Sequence, residues 1–317
     1  MLYNLYFHDD LDGVASGAVL LDFFKKNGDD LVSFTPLEYN TKHDAGWERY
    51  DFKTPFVLVD FQYHPKADWW IDHHASAFAK QEWQSLYHDD DRHHWDPKAP
   101  SACGLVARFL EREHEYKMTE AVRELAKIVD IDDSAGYLTL ESALELDSPS
   151  KKIQLLLGDT ESKKDHKAYL AFREFLIKNL VTLGMEKIAL LPEYQARISA
   201  LRDQRLRADA LLQKQVQLKG DVIFIDKGAE LSHASRWAPY QAFPEAPYSV
   251  QILDKGGEYK VGIGSNKWSK IKPTVNLGDI AKSYGGGGHK GVGALFVKSR
   301  QEAMRIADEI IIKLNDE

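Results

Sequence analysis

The chain has 317 residues, 44% hydrophobic and 28% charged, with a net charge of -8 and one cysteine. That length exceeds one comfortable core and predicts two domains, and the balance excludes a disordered or fibrous chain. Cys103 alone excludes an internal disulfide, which fits a reducing cytoplasm; no apolar run is long enough to cross a membrane, and Leu2–Phe7 is too short for a signal peptide.

The charge is unevenly placed. Residues 221–317 carry 13 Lys/Arg against 12 Asp/Glu, so the acidic excess lies in the first 220 residues. A protein that grips long duplex DNA presents a basic stripe, which is missing here. A small anionic substrate held by metal ions and a few chosen cations fits this distribution better.

From residue 1 to about 185, short apolar runs alternate with helical patterns, which predicts a parallel sheet with crossover helices. Leu2–Phe7 reads as a strand ending in His8-Asp9-Asp10-Leu11-Asp12-Gly13, and Gly13–Lys26 as the helix that follows. Val32–Leu37 is a second strand. Phe56–Val59 is a third, ending at Asp60-Phe61, and Trp69–Ile71 a fourth, ending at Asp72-His73-His74. His88–Asp96, just before Pro97, reads as a solvated loop or mobile lid despite its His and Asp content. Ser101–Glu113 is a helix with Ser101 as N-cap and Cys103 as a small packing residue. Ala121–Val129 is another helix, delivering Asp130-Ile131-Asp132-Asp133.

Glu186–Gln217 suits a long connecting helix. The expected division is therefore a parallel-sheet catalytic domain over 1–185, a helical linker over 186–220, and a smaller mixed α/β domain over 221–317. In the last, Val222–Ile225 is a strand, and Tyr248–Leu253 and Tyr259–Gly264 flank the turn Asp254-Lys255-Gly256-Gly257. Leu277–Ser283 is a short helix entering Gly285-Gly286-Gly287-Gly288-His289, Ala294–Val297 a strand and Gln301–Leu314 a closing amphipathic helix. The closing helix and the linker could each support a homodimer, and both also have intrachain explanations.

The trailing acids and imidazoles of three strands would gather at the carboxyl edge of one sheet, where α/β folds place their sites. Such a cluster repels itself and is costly to bury unless divalent cations compensate it. Mixed imidazole and carboxylate donors suit manganese, with magnesium, cobalt or zinc as substitutes. His8, Asp10 and Asp12 alternate and would share one face in an extended segment; His8 is either a ligand or a neighbour.

These residues resemble the DHH phosphoesterase superfamily, which includes RecJ exonucleases, short-oligonucleotide ribonucleases, cyclic-dinucleotide phosphodiesterases, exopolyphosphatases and family II pyrophosphatases. Its first motif matches His8–Gly13, its second Asp60 and its third Asp72-His73-His74. Its fourth is an Asp after a helix, matched by Asp130 with Asp133 in reserve. The last part resembles the DHH-associated domain, through Gly286-Gly287-Gly288-His289 and the strand-end segment Gly262–Asn266. The resemblance implies a metal-dependent phosphodiesterase that hydrolyses dinucleotides or very short oligonucleotides (nanoRNA, pGpG-like) to mononucleotides. Two cations would share Asp60, one also held by Asp10 and His8, the other by Asp12, His73 and Asp130, and would activate a hydroxide. His74 would stabilise the phosphoryl oxygens or help the leaving group. His289 and the glycines Gly286, Gly287 and Gly288 would receive phosphate, with glycines giving the backbone close approach to an anion. Arg236, beside Trp237, is either an exposed residue on a core segment or a grip on a terminal phosphate. The alternatives are an exopolyphosphatase or pyrophosphatase and a cyclic-dinucleotide phosphodiesterase.

Overall fold

The apolar runs that polar residues bound in the sequence become strands. A computed structural model describes residues 1–38, 46–159, 161–228 and 231–316. It falls into two units, Met1–Tyr137 with Leu146–Ser199 and Leu138–Glu145 with Ala200–Glu317.

In the first unit β1 (Leu2–His8), β2 (Asp30–Leu37), β3 (Phe56–Val59), β4 (Trp69–Asp72) and β5 (His93–Trp95) form one sheet in the order β2-β1-β3-β4-β5. Every pairing is parallel. Side-chain alternation sends Leu5, Phe7, Val57, Val59, Trp69 and Ile71 into a core with the helices, among them Leu11–Lys26, Ala102–His114 and His166–Ala189. Tyr6, Phe56, Leu58 and Trp70 face the other way, into an aromatic cluster with Trp47, Phe52 and Phe61. Trp70 is fully buried and donates through Nε1 to the Phe61 carbonyl oxygen at 2.9 Å.

Strand β5 lies inside His88–Asp96, where a loop was expected. Its His and Asp residues serve one another: Asp90 accepts the His93 backbone N–H at 2.8 Å, and Asp89 lies 3.0 Å from His94 Nδ1. A three-residue edge strand is too short to show a period. The expected single connecting helix also differs. Helix His166–Ala189 contains non-helical Gly184, and a new helix, Pro192–Gln215, starts at a proline whose fixed φ suits a first turn.

The second unit is a mixed six-stranded sheet in the order β10-β11-β9-β8-β7-β6, built from β6 (Gln217–Lys219), β7 (Val222–Lys227), β8 (Tyr248–Asp254), β9 (Tyr259–Ser265), β10 (Gly287–His289) and β11 (Val292–Val297). Helices Leu277–Ser283 and Arg300–Asn315 pack on one face. Leu231, Ala238 and Tyr240 pack with Ala208 and Leu212 against Ile223 and Ile225. No helix of the described residues is long and apolar enough to cross a membrane.

The glycine run is an edge hairpin: Gly287–His289 pair antiparallel with Val292–Ala294. A Cβ at Gly286 would run into the Ala294 carbonyl oxygen, whereas one at Gly287 meets nothing within 4 Å. Gly286→Ala is therefore expected to destabilise the protein by about 1–3 kcal/mol, as overpacking does, and Gly287→Ala by less than about 1 kcal/mol. Urea unfolding of the two variants checks the contrast.

Candidate metal centre

The chain runs from β1 to β2 on one side of β1 and then to β3 on its other side. The order reverses between β1 and β3, and open α/β sheets form their crevice at the carboxyl ends of such strands. His8 ends β1 and Asp60 follows β3 directly at that point, and Asp72 ends β4 beside them. Asp60 takes φ +57°, a left-handed conformation rare for a residue with a side chain, and its N–H donates to the Ile71 carbonyl oxygen at 3.0 Å. The turn thus carries its carboxylate into the crevice while the backbone stays tied to β4.

Three groups of donors lie within 4.8 Å of one another: His8, Asp10 and Asp60; Asp60, His73 and His74; and Asp12, His73 and Asp133. Asp60 is 1% exposed, yet neither of its carboxylate oxygens makes a hydrogen bond among the described residues, and neither does His73 Nε2. His73 Nε2 stands 3.5 Å from oxygens of Asp12, Asp60 and Asp133. Its other nitrogen, Nδ1, lies 3.1 Å from the Ala99 carbonyl oxygen; donation there would leave Nε2 of the neutral ring to serve a cation among the three carboxylates. His8 Nδ1 is 2.8 Å from Asp10 and 3.6 Å from Asp60. Buried oxygens and imidazoles that converge without hydrogen bonds fit divalent cations, and the donor set suits manganese.

The electrostatics carry the same signature. Burial pushes the Asp12 carboxyl well up, and neighbouring Asp60 and Asp133 push it further. Burial and Asp60 also raise Asp133, to about 6. For His73, burial pulls down, but Asp60, Asp12 and Asp133 outweigh it and hold the imidazole at about 10. For His8, too, burial pulls down and Asp10 and Asp60 win, so the net shift is upward. Burial raises Asp60, but the facing His73 and His8 reverse that and hold it below the usual carboxylate range.

The fourth carboxylate at this cluster is Asp133, not Asp130. Helix Glu120–Asp133 runs just over one turn beyond the expected end, so its last residue reaches His73. Asp130 is engaged elsewhere: Ser101 Oγ donates to it at 2.5 Å and Arg108 Nη1 at 3.0 Å.

Several supporting contacts carried no signal that the motifs could supply. Both Asp12 oxygens accept backbone N–H groups, from Ala102 and Cys103 at 2.7 Å each, at the start of helix Ala102–His114. That helix N-terminus favours a negative charge. Asp72, fully buried, lies 2.8 Å from His74 Nδ1 and fixes that ring. Asp9 accepts from Arg173 Nε at 2.7 Å and from the Tyr169 hydroxyl, and Arg173 Nη2 donates to the Leu157 carbonyl oxygen at 2.8 Å. Arg173 was visible only as a cation on the buried stripe Tyr169, Arg173, Leu176, Leu180.

The remaining expected residues lie in the second unit. Arg236 stacks its guanidinium on the Trp237 ring at 4.5 Å. Gly287, Gly288 and His289 form β10, and Gly286 precedes it, so the run is strand rather than an open nest of amides.

Two outcomes follow from this geometry. Asp133→Asn is expected to weaken Mn2+ binding at least about tenfold, and Asp130→Asn to leave it within about threefold while lowering stability, because only the first removes a carboxylate from the donor cluster; calorimetric titration of both variants decides. At pH 7 His73 is protonated in the metal-free protein, and a cation takes the neutral imidazole. Metal uptake should therefore release at least one proton, and affinity should rise with pH up to about 10. Binding enthalpies in buffers of different ionisation heat measure that release.

No protein-family model and no curated protein matches the sequence. Among solved structures, the chain is similar to a pGpG-specific phosphodiesterase, PggH, from Vibrio cholerae, at 18% identity over 99% of both chains with a TM-score of 0.71. It is similar to an exopolyphosphatase-related protein from Bacteroides fragilis at 14% identity, over 99% of this chain and 92% of that one, with a TM-score of 0.51. RecJ in complex with Mn2+ from Thermus thermophilus aligns at 12% identity over 98% of this chain and 52% of its own, with a TM-score of 0.56. The chain shares the two-domain α/β fold of these solved structures.

Proposed function

We propose that the protein is a metal-dependent phosphodiesterase that hydrolyses dinucleotides or very short oligonucleotides to mononucleotides. The observation that carries this reading is the buried Asp60 carboxylate, without a hydrogen bond among the described residues and grouped with Asp10 and the imidazoles of His8, His73 and His74. His8, Asp10 and Asp60 would hold one divalent cation, and Asp12, His73 and Asp133, with Asp60 shared, a second. Two such ions supply Lewis acidity that lowers the pKa of water and neutralises phosphoryl charge.

The chain's own groups do the rest. Asp60 belongs to the group with His8 and Asp10 and lies 3.5 Å from His73 Nε2 of the other, so it is placed to connect the two. Burial lowers His74, but its Asp72 partner outweighs this and the net shift is upward, so a proton is available to the phosphoryl oxygens or the leaving oxygen. A short substrate is supported by the missing basic stripe, because an acidic domain cannot offset a long run of phosphates. Arg236 on the Trp237 indole offers a cation and an aromatic to a nucleotide. The similar pGpG-specific phosphodiesterase supports pGpG as a candidate, and the Mn2+ in the RecJ structure supports manganese. The exopolyphosphatase-related neighbour keeps polyphosphate as the rival substrate.

The test is initial rates with Mn2+ on RNAs of two to about seven nucleotides, including pGpG, with polyphosphate alongside. Rates are expected to be highest on the dinucleotide and to fall with length, and Asp60→Asn to lower them at least about a thousandfold, since both ions depend on that carboxylate. Hydrolysis of polyphosphate alone would overturn the nucleotide reading.

A further inference from the structure

The segment that follows β9 is pinned on both flanks. Asn266, 1% exposed, donates through Nδ2 to the carbonyl oxygens of Pro244 at 2.9 Å and Ala246 at 3.1 Å, and accepts the Trp268 N–H at 3.1 Å. Ser269, equally buried, donates to the Glu245 carbonyl oxygen at 2.7 Å and accepts the Ile271 N–H at 3.1 Å. Two buried polar side chains thus fasten Lys267 and Trp268 onto residues 244–246.

What they hold in place is a half-buried indole on the wall of a cavity of about 690 Å³, also lined by Thr139, Glu141, Gln241, Lys267 and Lys272. All of these residues belong to the second unit. Trp237 packs edge-to-face on Trp268, with ring centroids 5.2 Å apart at 79°. The Arg236 guanidinium lies over Trp237, and Lys267 Nζ stands 5.3 Å from the Trp268 ring centroid. Two indoles are therefore locked between an arginine and a lysine, beside an open volume large enough for a small ligand.

A tryptophan left half-exposed forgoes apolar burial, and fixing it with buried hydrogen bonds removes the freedom it would otherwise keep. That arrangement lowers the ordering cost of a flat ligand laid on the indole. The two lysines select an anion, while Glu141, the one acidic residue of the lining, and Gln241 offer acceptors to ring amino groups. A flat ring with amino groups and an attached anion is a nucleotide.

We propose that this cavity is a nucleotide subsite in which a base stacks on Trp268 and a phosphate pairs with Lys267 and Lys272. Its ligand class rests on the nucleotide reading above, whereas its occupancy requires no metal and no turnover. The experiment is calorimetric titration of the full chain with guanosine 5′-monophosphate in EDTA. Trp268→Ala should weaken binding about tenfold or more and Trp268→Phe by no more than about threefold, as base stacking on an aromatic predicts. The exposed pair Lys267→Ala with Lys272→Ala should cost about tenfold for the nucleotide and less than about twofold for guanosine, because only the nucleotide carries the charge. No binding by the unaltered protein at millimolar nucleotide, or equal affinity in Trp268→Ala, would overturn the subsite. Nucleotide binding that follows this pattern without hydrolysis of any dinucleotide under Mn2+ would leave the subsite standing and overturn the proposed activity.

Discussion

Everything in the first unit is arranged around one unfavourable element, the Asp60 carboxylate. It is buried, its backbone is left-handed at φ +57°, and its oxygens make no hydrogen bond among the described residues. Strain of that kind costs on the order of 1–3 kcal/mol and persists only where the surroundings over-determine it. Here they do: the Asp60 N–H is held by Ile71 of β4, and its side chain is enclosed by imidazoles from the ends of β1 and β4. A sheet with a polar partner in place of Asp60 would be more stable and chemically inert. The preserved conflict between burial and charge marks the place where a ligand completes the structure.

The neighbouring groups are set by contacts outside the cluster. The Asp9 side chain, between His8 and Asp10 in sequence, points away from them into a fully buried pair with Arg173. Such a pair contributes little net stability, but breaking it leaves an uncompensated charge, so it fixes the turn after β1 against small shifts. Asp12 is fixed differently, by two N–H groups at a helix start, which leaves its remaining lone pairs directed toward His73 and Asp133. Helix Leu11–Lys26 can begin this close to the site because Gly13 has no Cβ to collide with the His8 backbone. A helix start, a buried arginine and a glycine therefore share the work of aiming His8, Asp10 and Asp12.

The sheet was legible because its strands are short apolar runs ending in charged residues, and the parallel order then gathers His8, Asp60, His73 and His74. What could not be read was set by helix length and by distant partners. Asp130 and Asp133 are both acids near the end of one helix, and choosing between them needs the helix end to within one turn. Arg173 lies 164 residues from Asp9, so no local pattern links them. The glycine run was read through its freedom to approach an anion, yet the packing of β10 under β11 uses the missing Cβ at Gly286 and Gly288. Leu138–Glu145 belongs with the second unit although it lies in the first half of the chain, a placement made by Leu140 and Leu144 packing against the cluster that holds Ile223, Ile225 and Tyr240.

The charge of the cluster closes in two different ways. Asp10, Asp12, Asp60 and Asp133 face His8 and His73, while Asp72 takes up His74 separately. In the metal-free protein the raised imidazoles of His8 and His73 favour their protonated forms, which offset part of the carboxylate charge. With those protons gone, four carboxylates carry about the charge that two divalent cations balance. Protons and cations therefore compete for the same lone pairs. With cations bound, an approaching anion would then meet no wall of carboxylates, and selection among anions would fall to side chains outside the centre.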